Sequence, residues 1–506
     1  MFFICRKIKY SDIKISVYFI KDNEYIMYYM NGTYILRKAV NKKIIILGII
    51  FILLYTSLPS TISKPSTNQD SIYDLLILTP DSFHDLLLPL VEHKEQMGLN
   101  TKLVSLSTVY DEMFWHGRDN PEKIKYFIKY AYDYWDVHFV LLVGDFRLMP
   151  IRYIYSNEPS DYYEPRYISE LYYADIYDDS GGFSDWNSNN NNVFGEWYGS
   201  HAQDTDIDLF PEVALGRLAC RNSFEVKTMV NKIIHYETNT YGEEWFNRFV
   251  CVAGDTYPPG EYEFNTDPFE GEENTERSIE NMTGFTPIRL WTSNGEFNGP
   301  IDVIKTINKG CGFMHFDGHA SPIAWGTHGP NAGPDDPTIW GLKNYHMNFL
   351  MNGYKLPIVV APACHNGQFD VEPIKFLHRV LFDLHLSDEP VNYGEWGREC
   401  WAWKLTSHPF GGSIATISNT GLGMSKEDKD SMDGAGDFMD IQFFVEYGNE
   451  RHECLGDVWM QSVSNYIEEY PIDWNQPAGS DASIDAKTPS EWTLFGDPSL
   501  RIGGYP

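Results

Sequence analysis

Two short motifs carry the chemistry of this chain. Asp317-Gly318-His319-Ala320 follows the apolar run GFMHF (312–316), and Ala363-Cys364-His365-Asn366-Gly367 closes the apolar run LPIVVAPAC (356–364). An imidazole and a thiol are what acyl transfer through a thioester requires. The imidazole takes the thiol proton, the thiolate attacks a carbonyl carbon, and the imidazolium returns the proton to the leaving amine. Small residues at Gly318, Ala320, Ala363 and Gly367 leave room for a peptide backbone. Backbone N–H groups at Cys364 and beyond Gly318 are placed to receive an oxyanion. A cysteine in an apolar run is more often a core residue than a nucleophile. The weight therefore falls on the elements that would bring His319 and Cys364 together.

Those elements alternate. YDLLILT (73–79), TKLVS (101–105), HFVLLVGD (138–145) and PEVALGRL (211–218) read as strands. Helices are expected over SFHDLLLPLVEHKEQMG, closed by Gly98, from Asn120-Pro121 to Trp135, and over 223–238 behind the candidate cap Asn222. A second block repeats the pattern with strands RFVCVAGD (248–255), TPIRLW (286–291), GFMHF, LPIVVAPAC and GGSIATIS (411–418), and helices near 274–282 and 300–309. Alternation of this kind predicts an α/β fold with mostly parallel sheet flanked by helices, in two side-by-side halves that join near 240–247. LFGDPSLRI near the end is expected to close the sheet. Ligands of parallel sheets bind beyond the carboxyl ends of strands, where both chemical motifs fall.

Bulk properties narrow the partners. With 39 basic and 71 acidic residues the formal net charge is −32, which argues against nucleic acid and suits a soluble exterior protein. None of the seven cysteines forms a C-x-x-C pair, so no zinc ribbon or thioredoxin-like motif is indicated. Cys220, Cys251 and Cys311 read as small core residues, and His315 as a core residue of its strand. Residues 44–58 (IIILGIIFILLYTSL), behind Lys42 and Lys43, resemble the hydrophobic part of an export signal, with an N-terminal membrane anchor as the other reading. The expected organisation is a targeting region over 1–65, an N-terminal α/β subdomain over 66–243 and a catalytic subdomain over 244–506, in a protein exported to the cell surface or beyond.

A second site is expected within 66–243. Counting Asp185 as position 1, oxygen-bearing side chains fall at Asn187, Asn189 and Asn191, with Glu196 at position 12. That is the ligand spacing of a calcium loop, with Asn190 in place of the usual glycine. A structural calcium ion is the cofactor this predicts; no catalytic metal is needed. Asp204, Asp206 and Asp208 lie just downstream as further oxygen donors.

GHASPIAWG (318–326) and ACHNGQF (363–369) resemble the His and Cys motifs of the gingipain-type cysteine peptidases, which have a caspase-like fold. LLVGDFRLMP (141–150), FPEVALGRLACRNSFEVKTMVNKIIHYE (210–237) and WTLFGDPSL (492–500) are similar to family segments as well. The resemblance implies a thiol endopeptidase acting on polypeptide substrates, with Cys364 as nucleophile, His319 as base, and oxyanion donors at the backbone of Ala320 and Cys364. It implies an acidic residue that orients the histidine, matched here by Asp255, and an acidic residue at the base of a pocket for a basic side chain, matched by Glu272 or Glu273. An aromatic lid of that pocket is replaced near Leu422-Gly423. His365 stands where an apolar residue is usual, either tuning the thiolate or pointing away from it. A transpeptidase of the same fold, and a surface binding protein that no longer catalyses, are the rival readings.

Overall fold

The computed structural model describes residues 6–10, 13–20, 25–30, 33–38, 72–156, 164–256, 269–333, 336–372, 397–425 and 434–506. The apolar run 44–58 lies outside them. Four strands, Arg6–Tyr10, Ile13–Ile20, Tyr25–Met30 and Thr33–Lys38, pair antiparallel in sequence order, within the region read as targeting sequence. They belong to a unit of their own, residues 1–70. No helix among the described residues is long and apolar enough to cross a membrane.

In the second unit, the most apolar runs became the central strands. These are β1 (Leu75–Thr79), β2 (Thr101–Ser105), β3 (Phe139–Val143), β4 (Ala214–Leu218), β5 (Arg248–Ala253), β6 (Thr286–Trp291), β7 (Phe313–Phe316), β8 (Ile358–Ala361), β9 (Ala415–Asn419) and β10 (Trp492–Phe495). Their order is β6-β5-β7-β8-β9-β10-β4-β3-β1-β2. Continuous apolar runs such as LLILT and FVLLV are buried on both faces, as parallel strands under helices on each side must be. The edges carry the less apolar segments: TKLVS on one, and TPIRLW with its Pro287 on the other, where a missing ladder N–H is tolerated.

The two expected blocks are therefore halves of one ten-stranded sheet, joined by the C-terminal strand. β10 runs antiparallel to β9 and parallel to β4. The strands of each block are parallel among themselves. The carboxyl ends of β5, β7, β8 and β9 thus share one edge, opposite to those of β1–β4. Gly216 permits the join: a Cβ there would sit 2.5 Å from the carbonyl oxygen of Gly496.

Helices cover the sheet: α1 (His84–Gln96), α2 (Asn120–Trp135), α3 (Ser223–Asn239), α4 (Glu270–Asn281), α5 (Pro300–Ile307), α6 (Ala435–Glu450), α7 (Leu455–Glu469) and α8 (Asp481–Glu491). Asn222 caps α3, its side chain accepting from the N–H groups of Phe224 and Glu225. The cap of α2 is Asp119, one residue earlier than Asn120-Pro121 suggested, and accepts from the Glu122 N–H. Helix α4 begins at Glu270, a turn before the expected start, which decides the fate of its acidic residues below.

Candidate active site

The chain leaves β7 through Asp317-Gly318 and enters an antiparallel ribbon of His319–Ser321, Ala324–Thr327 and Ile339–Lys343. Gly318 makes that turn with φ +155°, and a Cβ there would lie 2.8 Å from the Gly326 carbonyl oxygen. The first hairpin has a two-residue loop between Ser321 and Ala324. That pair exchanges hydrogen bonds, so the next pair, Ala320 with Trp325, is the non-hydrogen-bonded one. The Ala320 N–H consequently points away from the hairpin.

Beside β7, β8 ends at Ala361 and the chain turns through Pro362-Ala363-Cys364. The turn is fixed from β9: Asn419 Oδ1 accepts from the Ala363 N–H at 3.3 Å, and the Asn419 carbonyl from the Gly367 N–H at 2.7 Å. The His365 N–H donates to Gly421 at 2.7 Å, and Asn366 Nδ2 to the Ala361 carbonyl at 2.9 Å. His365 takes a left-handed φ of +58°, a conformation unusual for a side chain with a Cβ and one that tight functional turns hold by surrounding contacts.

His319 and Cys364 both line one pocket, open to solvent, together with Thr256, Asn419, Gly423 and Asp437. The ring of His319 has its Nε2 2.6 Å from the carbonyl oxygen of Thr256. With the proton on Nε2, Nδ1 is the basic nitrogen of the ring. The Cys364 Sγ lies 3.8 Å from the Gly423 carbonyl, to which it donates. Burial, reinforced by the charge of Glu491, pushes this thiol up to about 11. In this state it is protonated.

The other expected residues are placed as follows. Asp255 is fully buried beside Thr256; its backbone pairs with His328 and its Oδ2 accepts from the Asn331 N–H at 3.0 Å. Glu272 and Glu273 are not among the residues lining the pocket. Because α4 starts at Glu270, Glu272 and Glu276 share the helix face toward β6. Glu272 there accepts from the Ser293 N–H at 2.9 Å and Thr292 Oγ1 at 3.1 Å, and Glu276 pairs with Arg289. Glu273 is exposed. The opposite face carries Glu270, which accepts from the Thr256 N–H, and Asn274, which reaches Asp317 and Asp440. The acids on the pocket wall are instead Asp317, just before His319, and Asp437 of α6, the latter marked by no local motif. His365 turns inward, its Nδ1 3.6 Å from buried Glu164. Burial lowers its pKa despite that carboxylate.

Glu164 belongs to a buried network behind the Cys364 turn. Lys487 Nζ lies 2.6 Å from Glu164 Oε2, 2.7 Å from the Leu422 carbonyl and 3.7 Å from Glu491 Oε2. Glu164 Oε1 accepts from the Leu422 N–H at 2.9 Å, and Glu491 Oε1 from Asn419 Nδ2 at 3.0 Å.

In the asparagine-rich loop, the Asn189 and Asn191 amides converge on Glu196 Oε2 at 3.1 and 2.6 Å, and Asn187 Oδ1 accepts from the Asn191 N–H. Asn190 has the left-handed φ of +59° that the missing glycine called for. Asp204 accepts from the Glu196 N–H at 2.9 Å. Asp185 is shared: its Oδ2 pairs with Arg118 at 2.7 Å and its Oδ1 accepts from the Asn187 N–H. Asp206, one of the downstream donors the sequence offered, is raised to about 7 by burial and by its contact with Asp185.

Residues 68–503 match the model of peptidase family C25. Gingipain R2 of Porphyromonas gingivalis strain W83 is 23% identical over 434 residues, covering 85% of this chain and 46% of the relative. Gingipain R1 of the same species is also 23% identical, with 34% of its length covered. The chain thus spans less than half the length of these curated relatives. The crystal structure of the Arg-specific cysteine proteinase gingipain R superposes with a TM-score of 0.56 at 20% identity, over 85% of this chain and 78% of that one. The complex of the RgpB pro- and mature domains of Porphyromonas gingivalis gives the same score and identity. The chain belongs to peptidase family C25, the gingipain-type cysteine peptidases.

Proposed function

We propose that this chain is an exported cysteine endopeptidase with Cys364 as nucleophile and His319 as general base. The observation that carries the reading is that His319 and Cys364, from the carboxyl ends of neighbouring strands β7 and β8, line one pocket. His319 Nδ1 accepts the thiol proton while the Thr256 carbonyl holds Nε2–H; Asp255, one residue earlier, supports that segment. The thiolate adds to the scissile carbonyl carbon, and the N–H groups of Ala320 and Cys364 receive the oxyanion. The C–N bond breaks as the imidazolium protonates the amine, and water then hydrolyses the thioester. With the resting thiol near 11, His319 takes its proton as the sulfur attacks an electrophile, and that general-base step, rather than a standing thiolate, is the activation.

Basic side chains suit the pocket, because the carboxyls of Asp317 and Asp437 form part of its wall and burial raises both, a cost that an incoming cation relieves; the similar gingipain R is described as Arg-specific. Export follows from the apolar run 44–58 behind two lysines. The oxygens of Asp185, Asn187, Asn189, Asn191 and Glu196, with Asp204 and Asp206, suit one structural calcium ion. Binding it requires Asp185 to share its carboxylate with Arg118 or release it. The deciding experiment is turnover of peptides with each residue at P1 by the full chain, Cys364→Ala and His319→Ala. Cleavage after Arg or Lys that both variants lose supports the reading. Cleavage surviving Cys364→Ala ends it.

A further inference from the structure

Behind His319 lies a polar cluster that the proposed chemistry does not use. His315 on β7, Asp317 just after it, and Asp440 on α6 each bring a ligand atom to within 4.8 Å of the others, and all three are buried. His315 Nε2 is 2.8 Å from Asp440 Oδ2. Asn274 on α4 reaches the same point, with Nδ2 2.7 Å from Asp317 Oδ2 and 3.0 Å from Asp440 Oδ2. Asn274 is 1% exposed, yet its Oδ1 has no hydrogen-bond partner among the described residues.

That orphan oxygen is informative. Exchanging the two ends of the amide would set its oxygen against both carboxylates, which is repulsive alone and becomes favourable once a cation lies among them. The oxygen then joins two carboxylates and an imidazole around one centre, an arrangement that makes sense only around a cation. The charges agree. Burial lifts the carboxyl of Asp317 to about 7 and that of Asp440 well above its ordinary range, so without a cation both are driven to hold protons. Burial also keeps His315 neutral, its pKa lowered to about 4, which leaves a ring lone pair for a metal. A dication cancels both charges and removes the penalty of burying them.

We infer that His315, Asp317, Asp440 and Asn274 form a binding site for one divalent cation of the zinc or manganese type. The imidazole selects against calcium and magnesium, which favour all-oxygen shells. Asp317 and Asp437 also line the active-site pocket, which gives the ion a way in. Asp317 Oδ1 accepts from Thr256 Oγ1 at 3.1 Å, so the ion fastens the strand end that carries the carbonyl facing His319. The site stands whether or not the catalytic assignment does.

The test uses the full chain carrying Cys364→Ala, which removes the thiol as a competing ligand. The protein is stripped with a chelator and titrated calorimetrically with Zn²⁺, Mn²⁺ and Ca²⁺. One zinc per chain is expected. Its affinity should fall at least about tenfold on adding His315→Gln and stay within about threefold on adding His319→Ala. Zinc X-ray absorption on Cys364→Ala itself should show an N/O shell with one imidazole, which decides the matter if His315→Gln does not fold. Absence of zinc binding, binding indifferent to His315→Gln, binding lost with His319→Ala, or a shell without imidazole would each overturn the assignment.

Discussion

Replacing Lys487 by methionine probes the support of the Cys364 turn most sharply. The Lys487 ammonium sits between two buried carboxylates, 2.6 Å from Glu164 and 3.7 Å from Glu491, with all three side chains no more than 3% exposed. Methionine fills the volume but takes the ammonium away from both carboxylates. Breaking a buried pair from one side costs roughly 3–5 kcal/mol, a large share of the roughly 5–15 kcal/mol that holds a protein folded. The Leu422 carbonyl also loses its donor, and Leu422-Gly423 carries the oxygen that faces the Cys364 thiol. Burial by itself raises the Glu164 carboxyl, but Lys487 and then His365 pull it below its ordinary value of 4.5. Its contribution is therefore present above that value and lost as pH falls through the folded-state pKa. Denaturant unfolding at a series of pH values should show Lys487→Met weaker by several kcal/mol at neutral pH, with a flatter acid limb. Glu164→Gln added to Lys487→Met should recover part of the loss, since it removes one stranded charge. A single variant within about 1 kcal/mol of the parent, or a double variant worse than the single, would refute the reasoning.

Other perturbations follow from the same geometry. Gly318→Ala forces a Cβ to within 2.8 Å of the Gly326 oxygen; kcat/KM should drop by at least about 100-fold through displacement of His319, read against circular dichroism that stays native. Asp437→Asn should cut kcat/KM for Arg and Lys substrates roughly 10-fold or more, the worth of a charge-assisted hydrogen bond, whereas Glu272→Gln, whose carboxylate faces Thr292 and Ser293, should change P1 preference by less than about threefold. Calcium at 100 times its dissociation constant should add about 2.7 kcal/mol of stability, seen as a higher Tm than in chelator, and Glu196→Ala should abolish that shift.

Much of the frame was legible because buried parallel strands are long apolar runs and helices carry their caps. LLILT, FVLLV and the Asn222 cap stand where expected. What escaped depended on distance in sequence. The final strand was expected to close the sheet, but nothing local says that Trp492–Phe495 inserts between β9 and β4 and reverses one half against the other. The start of α4 is not marked by a capping side chain, and one extra turn moved Glu272 from the expected pocket to the β6 edge. Asp437 and Asp440 lie on a helix whose partner in the cluster, His315, is far away in the chain. The motif residues Gly318, His319, Ala363 and Cys364 could be read because small residues beside a thiol and an imidazole leave a local signature.

The central claim is that Cys364 is a nucleophile activated by His319. Cys220, Cys251, Cys311 and Cys400 are buried, and burial lifts the partly exposed Cys454 thiol to about 12. The direct measurement is a short pulse of iodoacetamide at neutral pH on the native full chain, with each cysteine quantified by peptide mass spectrometry. Modification concentrated on Cys364, slowed at least about 100-fold by His319→Ala and parallel to loss of peptide turnover, is the predicted result. Cys364 labelled no faster than Cys454, or labelled equally fast without His319, would contradict it.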